Sequence, residues 1–178
     1  MQDLKDKKII IAISSSISIY KSADLISMLK KRGAEIKVIM TKNATEMMSP
    51  IIFKTLSQNK VYTSLWENSD NSEVAHITLA QWADIFLVCP CTANTLANLA
   101  NGLAPDFLSS TYLATRAKSF IALAMNDKMY AHPAVQLNIQ KAITLGINII
   151  EPINGNLACG TSGKGKLATL EDIIEAIS

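Results

Sequence analysis

Histidine is scarce in this chain: two occur in 178 residues, His76 and His132, so few positions can exchange a proton near neutral pH. Cysteine is nearly as rare, at Cys89, Cys91 and Cys159. Three thiols cannot all pair within one chain. No second cysteine pair or nearby histidine gives Cys89-Pro90-Cys91 the spacing of a zinc site. Reduced thiols in a cytoplasmic protein, with no metal, are the expectation. Neither Gly-x-Gly-x-x-Gly nor a Walker-type lysine loop occurs, which argues against dinucleotide and nucleoside triphosphate sites. No basic block stands out among 17 basic and 15 acidic residues, so a net charge of +2 does not favour nucleic acid. The apolar run over residues 9–13 is too short to span a membrane and lacks signal-peptide flanks. No internal repeat, low-complexity segment or linker divides the sequence.

What is present is apolar. Hydrophobic residues make up 49% of the chain and mean hydropathy is +0.21. That is high for a soluble monomer, and part of this surface is expected between subunits. A single domain over residues 1–178 is the simplest reading of the length.

Hydrophobic periodicity alternates between strands and helices. Continuous apolar runs predict strands over residues 8–14, 35–40, 85–89, 120–124 and 148–150. Helical spacing predicts helices over 19–32, 50–57, 76–82, 92–101, 105–114 and 133–145, and a last one capped by Thr169. Gly33, Gly102 and Gly146 fall where helices should end. Buried strands alternating with amphipathic helices imply a three-layer α/β/α, Rossmann-like or flavodoxin-like fold around a parallel sheet. Residues 155–167 contain glycines 155, 160, 163 and 165 and read as a mobile flap.

In such a sheet, ligands bind beyond the carboxyl ends of the strands. That edge should carry Ser14-Ser15-Ser16, Met40-Thr41-Lys42, Pro90-Cys91-Thr92-Ala93-Asn94-Thr95 and Met125-Asn126. Serines at a strand–helix turn are ordinary caps, but two hydroxyl-rich turns after neighbouring strands suit one mononucleotide phosphate. His76 follows a polar loop over residues 67–72 and is placed at the mouth of a cofactor pocket. Taken singly, the candidates have ordinary explanations. His76 could be a surface or core histidine, Asn126 a cap, Cys159 an exposed thiol, and Met125 and Met129 core. His132-Pro133 reads as a helix start.

Four segments in order resemble the flavin-dependent cysteine decarboxylases, over nearly the whole chain from about Lys8. They are Ala75-His76-Ile77-Thr78-Leu79, Pro90-Cys91-Thr92-Ala93-Asn94-Thr95 with Leu99-Ala100-Asn101-Gly102, Leu123-Ala124-Met125-Asn126-Asp127-Lys128-Met129-Tyr130, and Leu157-Ala158-Cys159-Gly160-Thr161-Ser162-Gly163. The chain departs from the family pattern at Ser15 (usually glycine), Cys91 (alanine), Pro105 (acidic), Leu123 (proline) and Tyr130 (tryptophan).

The resemblance is closest to the bacterial branch acting on 4′-phosphopantothenoylcysteine in coenzyme A biosynthesis. With no ligase-like half in the sequence, it implies the stand-alone decarboxylase, a cytoplasmic enzyme with a small-molecule substrate. It implies FMN held by Ser14, Ser15, Ser16, Thr41, Thr92, Ala93, Asn94 and Thr95. It implies His76 as base, Asn126 as carboxylate holder and Cys159 as proton donor, with Met125, Met129 and Ala158 also meeting substrate. In the implied reaction the cysteine moiety is oxidised to a thioaldehyde, CO₂ leaves, and the electrons return to give 4′-phosphopantetheine. A homo-oligomer, trimer or dodecamer, is implied, with the flavin between subunits. Peptidyl-cysteine decarboxylase, flavin prenyltransferase and a non-enzymatic FMN-binding regulatory or electron-transfer module are the rivals. The Ala158-Cys159-Gly160 segment disfavours the first, and His76 with Met125-Asn126 the second.

Overall fold

The computed structural model describes residues 4–66, 74–158, 160 and 162–178; the polar loop over 67–72 and Cys159 lie outside the described residues. In chain order come strand β1 (Lys8–Ile13), a single 3-10 turn (Ile17–Ile19), α1 (Tyr20–Lys31), β2 (Glu35–Met40), α2 (Lys42–Met47), α3 (Pro50–Ser57) and β3 (Val61–Tyr62). Then follow α4 (Ala75–Trp82), β4 (Ile85–Cys91), α5 (Ala93–Ala100), α6 (Phe107–Ala114), β5 (Lys118–Leu123), α7 (Asp127–Ala131), α8 (Pro133–Thr144), β6 (Asn148–Ile150), β7 (Ile153–Asn156), β8 (Ser162–Lys166) and α9 (Leu170–Ile177).

Six strands form one parallel sheet in the order β3-β2-β1-β4-β5-β6. Strand alternation explains why its apolar runs are continuous rather than alternating. Ile9, Ile11 and Ile13 of β1 join a core with α1, α3 and α9. Ile10 and Ala12 face the other way, into a core with α4, α5, α6 and α8. The expected three-layer α/β/α fold is therefore observed.

Element ends follow local chemistry. Thr92 caps α5 through its hydroxyl and Asp106 caps α6 in a capping box. His132 caps α8, its Nδ1 accepting from the Ala134 N–H at 3.2 Å. Several expected limits shift: β4 runs on to Cys91, and β5 starts at Lys118 and stops at Leu123. The short elements β3, α2 and α7 had no periodicity long enough to reveal them.

Cys89 and Cys91, two apart in one strand, would share a face in a regular ladder. The β4–β5 register shifts between Val88 and Cys91. The two thiols therefore enter opposite cores. Burial pushes the Cys89 thiol up to about 12 and Cys91 higher still.

The segment read as a flap folds as an antiparallel hairpin, β7 with β8. It lies against α7, and glycine permits the approach. A Cβ on Gly165 would overlap the Met125 carbonyl oxygen, and one on Gly163 would lie 2.7 Å from the Asp127 Cβ. The Met125 N–H donates to the Gly165 carbonyl at 3.0 Å. A polar latch adds to this: the Tyr130 hydroxyl donates to Glu151 Oε2, and Lys164 Nζ lies 2.8 Å from the same oxygen. Burial acts to raise the Glu151 carboxyl, but Lys164 and Tyr130 outweigh it and hold it below the usual range. A carboxyl so depressed stabilises the fold above its ordinary range, and that contribution is lost as pH falls through the folded value. Both partners are about half exposed, so the ion pair itself contributes little.

Gly165→Ala should lift the hairpin and break its bond to Met125, weakening local protection by about 1 kcal/mol or more. Hydrogen exchange should speed up at Met125 and along β7–β8 but not in β1 or β4; unchanged hairpin exchange would refute the tight-approach account. A thiol reagent at neutral pH should leave Cys89 and Cys91 unmodified in the folded protein and label both in urea, as read by peptide mass spectrometry. Rapid native labelling of either would contradict their burial.

Candidate functional site

The strand order changes direction between β1 and β4, and a crevice opens there at the carboxyl edge. The ends of the two strands are stitched together by one side chain. The Ser14 hydroxyl donates to the Pro90 carbonyl at 2.8 Å and accepts from the Thr92 N–H at 3.0 Å. Ser14 is buried, and below it the Ser22 hydroxyl donates to the Cys89 carbonyl at 2.9 Å.

Above this frame lies a cavity of about 430 Å³, within the size range of small-molecule sites. One wall is the turn after β1 and the start of α1: Ser15, Ser16, Ile17, Ser18, Tyr20 and Lys21. Thr92 and Ala93 contribute the start of α5. The Thr92 hydroxyl caps that helix by accepting from the Thr95 N–H at 3.3 Å, and it donates to the Thr95 hydroxyl at 3.2 Å. Early N–H groups of a helix have no intrahelical acceptor and suit a phosphate. Opposite stand Ala124, Met125, Asn126 and Met129. The hairpin closes the third side with Asn156, Leu157, Ala158, Gly165 and Lys166.

Asn126 sits where β5 gives way to α7. Its Oδ1 accepts from the Lys128 N–H at 2.9 Å and the Met129 N–H at 3.4 Å. The side-chain carbonyl serves the helix, and the NH₂ end is the end that donates. Ile17 and Tyr20 are 63% and 56% exposed and offer apolar surface beside the hydroxyls. A polar floor for a phosphate and apolar sides for a planar ring make the cavity fit a flavin mononucleotide.

The structure thus brings together Ser15, Ser16, Thr92, Ala93, Met125, Asn126, Met129 and Ala158 from the expected set. Ser14 does not line the cavity; its hydroxyl is used in the frame beneath. Thr41 caps α2, accepting from the Ala44 N–H at 3.2 Å, and is not part of the lining. Asn94 is exposed on the first turn of α5, and Thr95 is buried behind Thr92. Cys159 lies outside the described residues.

His76 is not in the lining either, so the structure does not place it at the mouth of this cavity as expected. It is half-buried on the first turn of α4, edge-on to Phe107 with ring centres 6.3 Å apart. Phe107 in turn stacks on Tyr62 at 5.2 Å. This group belongs to the sheet face away from α1. Sequence reasoning missed Ile17, Ser18, Tyr20 and Lys21 on one wall and Asn156 and Lys166 on the hairpin. Lys21 was within reach of it, since α1 follows the serine turn directly. The two hairpin residues required knowing that a glycine-rich strand folds back onto the cavity.

Among the described residues no group of three or more His, Cys, Asp or Glu could hold a metal ion, and no helix is long and apolar enough to cross a membrane.

The family model described as Flavoprotein matches residues 1–178. The bifunctional coenzyme A biosynthesis protein CoaBC of Bacillus subtilis is 44% identical over 172 residues, covering 97% of this chain but 42% of the relative. The chain therefore spans less than half the length of that relative. A probable phosphopantothenoylcysteine decarboxylase of Streptococcus mutans is 43% identical over 173 residues, covering 96% of this chain and 97% of the relative. The solved FMN-dependent cysteine decarboxylase SpaF superposes with a TM-score of 0.83 at 28% identity, covering 98% of this chain and 99% of that one. With the family model matched from end to end around a flavin-sized cavity, this chain belongs to the flavoprotein family.

Proposed function

We propose that this chain is an FMN-dependent decarboxylase that converts 4′-phosphopantothenoylcysteine to 4′-phosphopantetheine, a step of coenzyme A biosynthesis carried out in the cytoplasm. The observation that carries the reading is the cavity itself: Asn126, Ala158 and the Thr92–Ala93 helix start converge on one mononucleotide-sized space. The likeness along almost the full length of the Streptococcus mutans relative supports the substrate.

FMN would be held by Ser15, Ser16, Thr92 and Ala93 at its phosphate and by Ile17, Tyr20 and Met125 along its ring. When bound, it supplies a two-electron acceptor for the thiol side of the substrate. The remaining work falls to the chain. The Asn126 amide holds the departing carboxylate through its NH₂ end. His76 takes a proton from the cysteine moiety. Cys159 returns a proton after CO₂ has left. The flap over about 155–167, with β7 and β8, acts as a lid on this single-domain unit, excluding water from the reacting end.

His76 can do this only if it reaches a cavity other than its own. We therefore read the enzyme as a homo-oligomer, a trimer or a multiple of it such as a dodecamer, with each site shared between protomers. Exposed apolar side chains support this: Val74 and Ile77 flank His76 in sequence, and Leu113 stands on α6, which packs against α4. Twelve chains of 19.3 kDa would give roughly 230 kDa.

The purified protein should release FMN on denaturation and liberate CO₂ from 4′-phosphopantothenoylcysteine but not from a cysteine-ending peptide. His76→Asn should keep its flavin and lose CO₂ release by at least a hundredfold, as expected for loss of a general base. Release of FAD, activity on the peptide alone, or near-normal turnover by His76→Asn would each break a part of the reading. Mixed oligomers of His76→Asn and Asn126→Asp, each inactive alone, should regain activity if sites are shared. A flavin-loaded, active monomer by light scattering would end the shared-site account.

A further inference from the structure

The described lining of the cavity contains two cations, Lys21 and Lys166, and no carboxylate. Such a site favours anionic ligands. The two lysines come from different walls. Lys21 stands on the first turn of α1, on the same wall as Ser15 and Ser16, where the cofactor phosphate is proposed to lie. Lys166 ends β8 and is exposed at the rim.

The hairpin is shaped around the Lys166 side chain. A Cβ on Gly155, across the hairpin, would come within 2.9 Å of the Lys166 Cδ, so the glycine leaves a channel for the aliphatic stem. Lys164, on the same strand, is committed to Glu151. Among the described residues Lys166 has no such ion pair.

The proposed substrate has anions at both ends, a carboxylate beside its thiol and a phosphate monoester at the far end of an extended chain. Asn126, half-buried, is assigned the carboxylate. The far end must then lie toward the rim. We infer that Lys166 is the specificity-determining residue for the substrate's phosphate monoester, admitting the phosphorylated compound in preference to its dephosphorylated form. This rests on the decarboxylase reading above. A residue that meets the phosphate and not the thiol end acts on binding rather than on the chemical step.

The test uses the flavin-loaded enzyme and two unreactive ligands that differ only in the phosphate, 4′-phosphopantothenate and pantothenate. Calorimetry should show the wild type preferring the phosphorylated ligand. Lys166→Met keeps the stem and removes the charge. It should weaken 4′-phosphopantothenate about tenfold to a hundredfold, the scale of a lost charge-assisted hydrogen bond, and erase the preference. Lys166→Arg should restore it. Preference retained in Lys166→Met, an equal loss for both ligands, or a lower flavin content in the purified variant would overturn the inference. The last result would move Lys166 to the cofactor's own phosphate. Turnover separates the two levels. A wild type that releases CO₂ from neither 4′-phosphopantothenoylcysteine nor its dephospho form defeats the decarboxylase reading and the inference with it. An active enzyme whose Lys166→Met variant still discriminates defeats the inference alone.

Discussion

One buried hydroxyl holds the carboxyl edge of the sheet together. Ser14 donates to the Pro90 carbonyl and accepts from the Thr92 N–H, so the ends of β1 and β4 cannot separate without stranding buried polar groups. This fixes where the helix after β4 begins and where its early N–H groups point. The wall that follows β1 is fixed by the same contact, because Ser15 and Ser16 come next in the chain. A cavity between two strands that have no sequence proximity thus depends on a side chain that does not line it.

The third wall is built differently. The hairpin docks through backbone rather than through packed side chains, because Gly163 and Gly165 bring main chain onto α7. The Tyr130–Glu151–Lys164 cluster then ties its outer face to α7 and to the loop after β6. Tyr130, one of the positions where the chain departs from the resembled pattern, takes part in this cluster through its hydroxyl. The sheet frame and the hairpin therefore differ in kind, one a buried core and the other a surface closure with small apolar area.

The parallel sheet was legible in the sequence because β1, β2 and β4 are short apolar runs with clear ends, and the caps Thr92, Asp106 and Thr169, with the proline that follows His132, announce helix starts. The hairpin was not, because Ile-Asn-Gly-Asn and Ser-Gly-Lys-Gly-Lys show neither alternation nor β-branched enrichment. The serine turn was readable as a site edge, but the inward use of Ser14 depends on Pro90, 76 positions away. Cys89 and Cys91 mislead in the same way: period-two logic puts them on one face, and a register shift puts them on two. Eight predicted contacts line the cavity, while His76 lies on α4 beside Phe107, on the sheet face away from α1, a side that periodicity alone does not assign.

The capping of α7 by Asn126 has a consequence for what the cavity can hold. Rotating the amide by half a turn would aim its NH₂ at the Lys128 and Met129 N–H groups and cost about two hydrogen bonds, on the order of 1–3 kcal/mol. The helix therefore acts as a polarity lock. An ordinary asparagine is ambivalent and can greet a donor or an acceptor, whereas this one is held to a single sign. Guests that offer N–H groups find the carbonyl already engaged. The carbonyl end of Asn126 is thus withheld from any guest by the start of a five-residue helix.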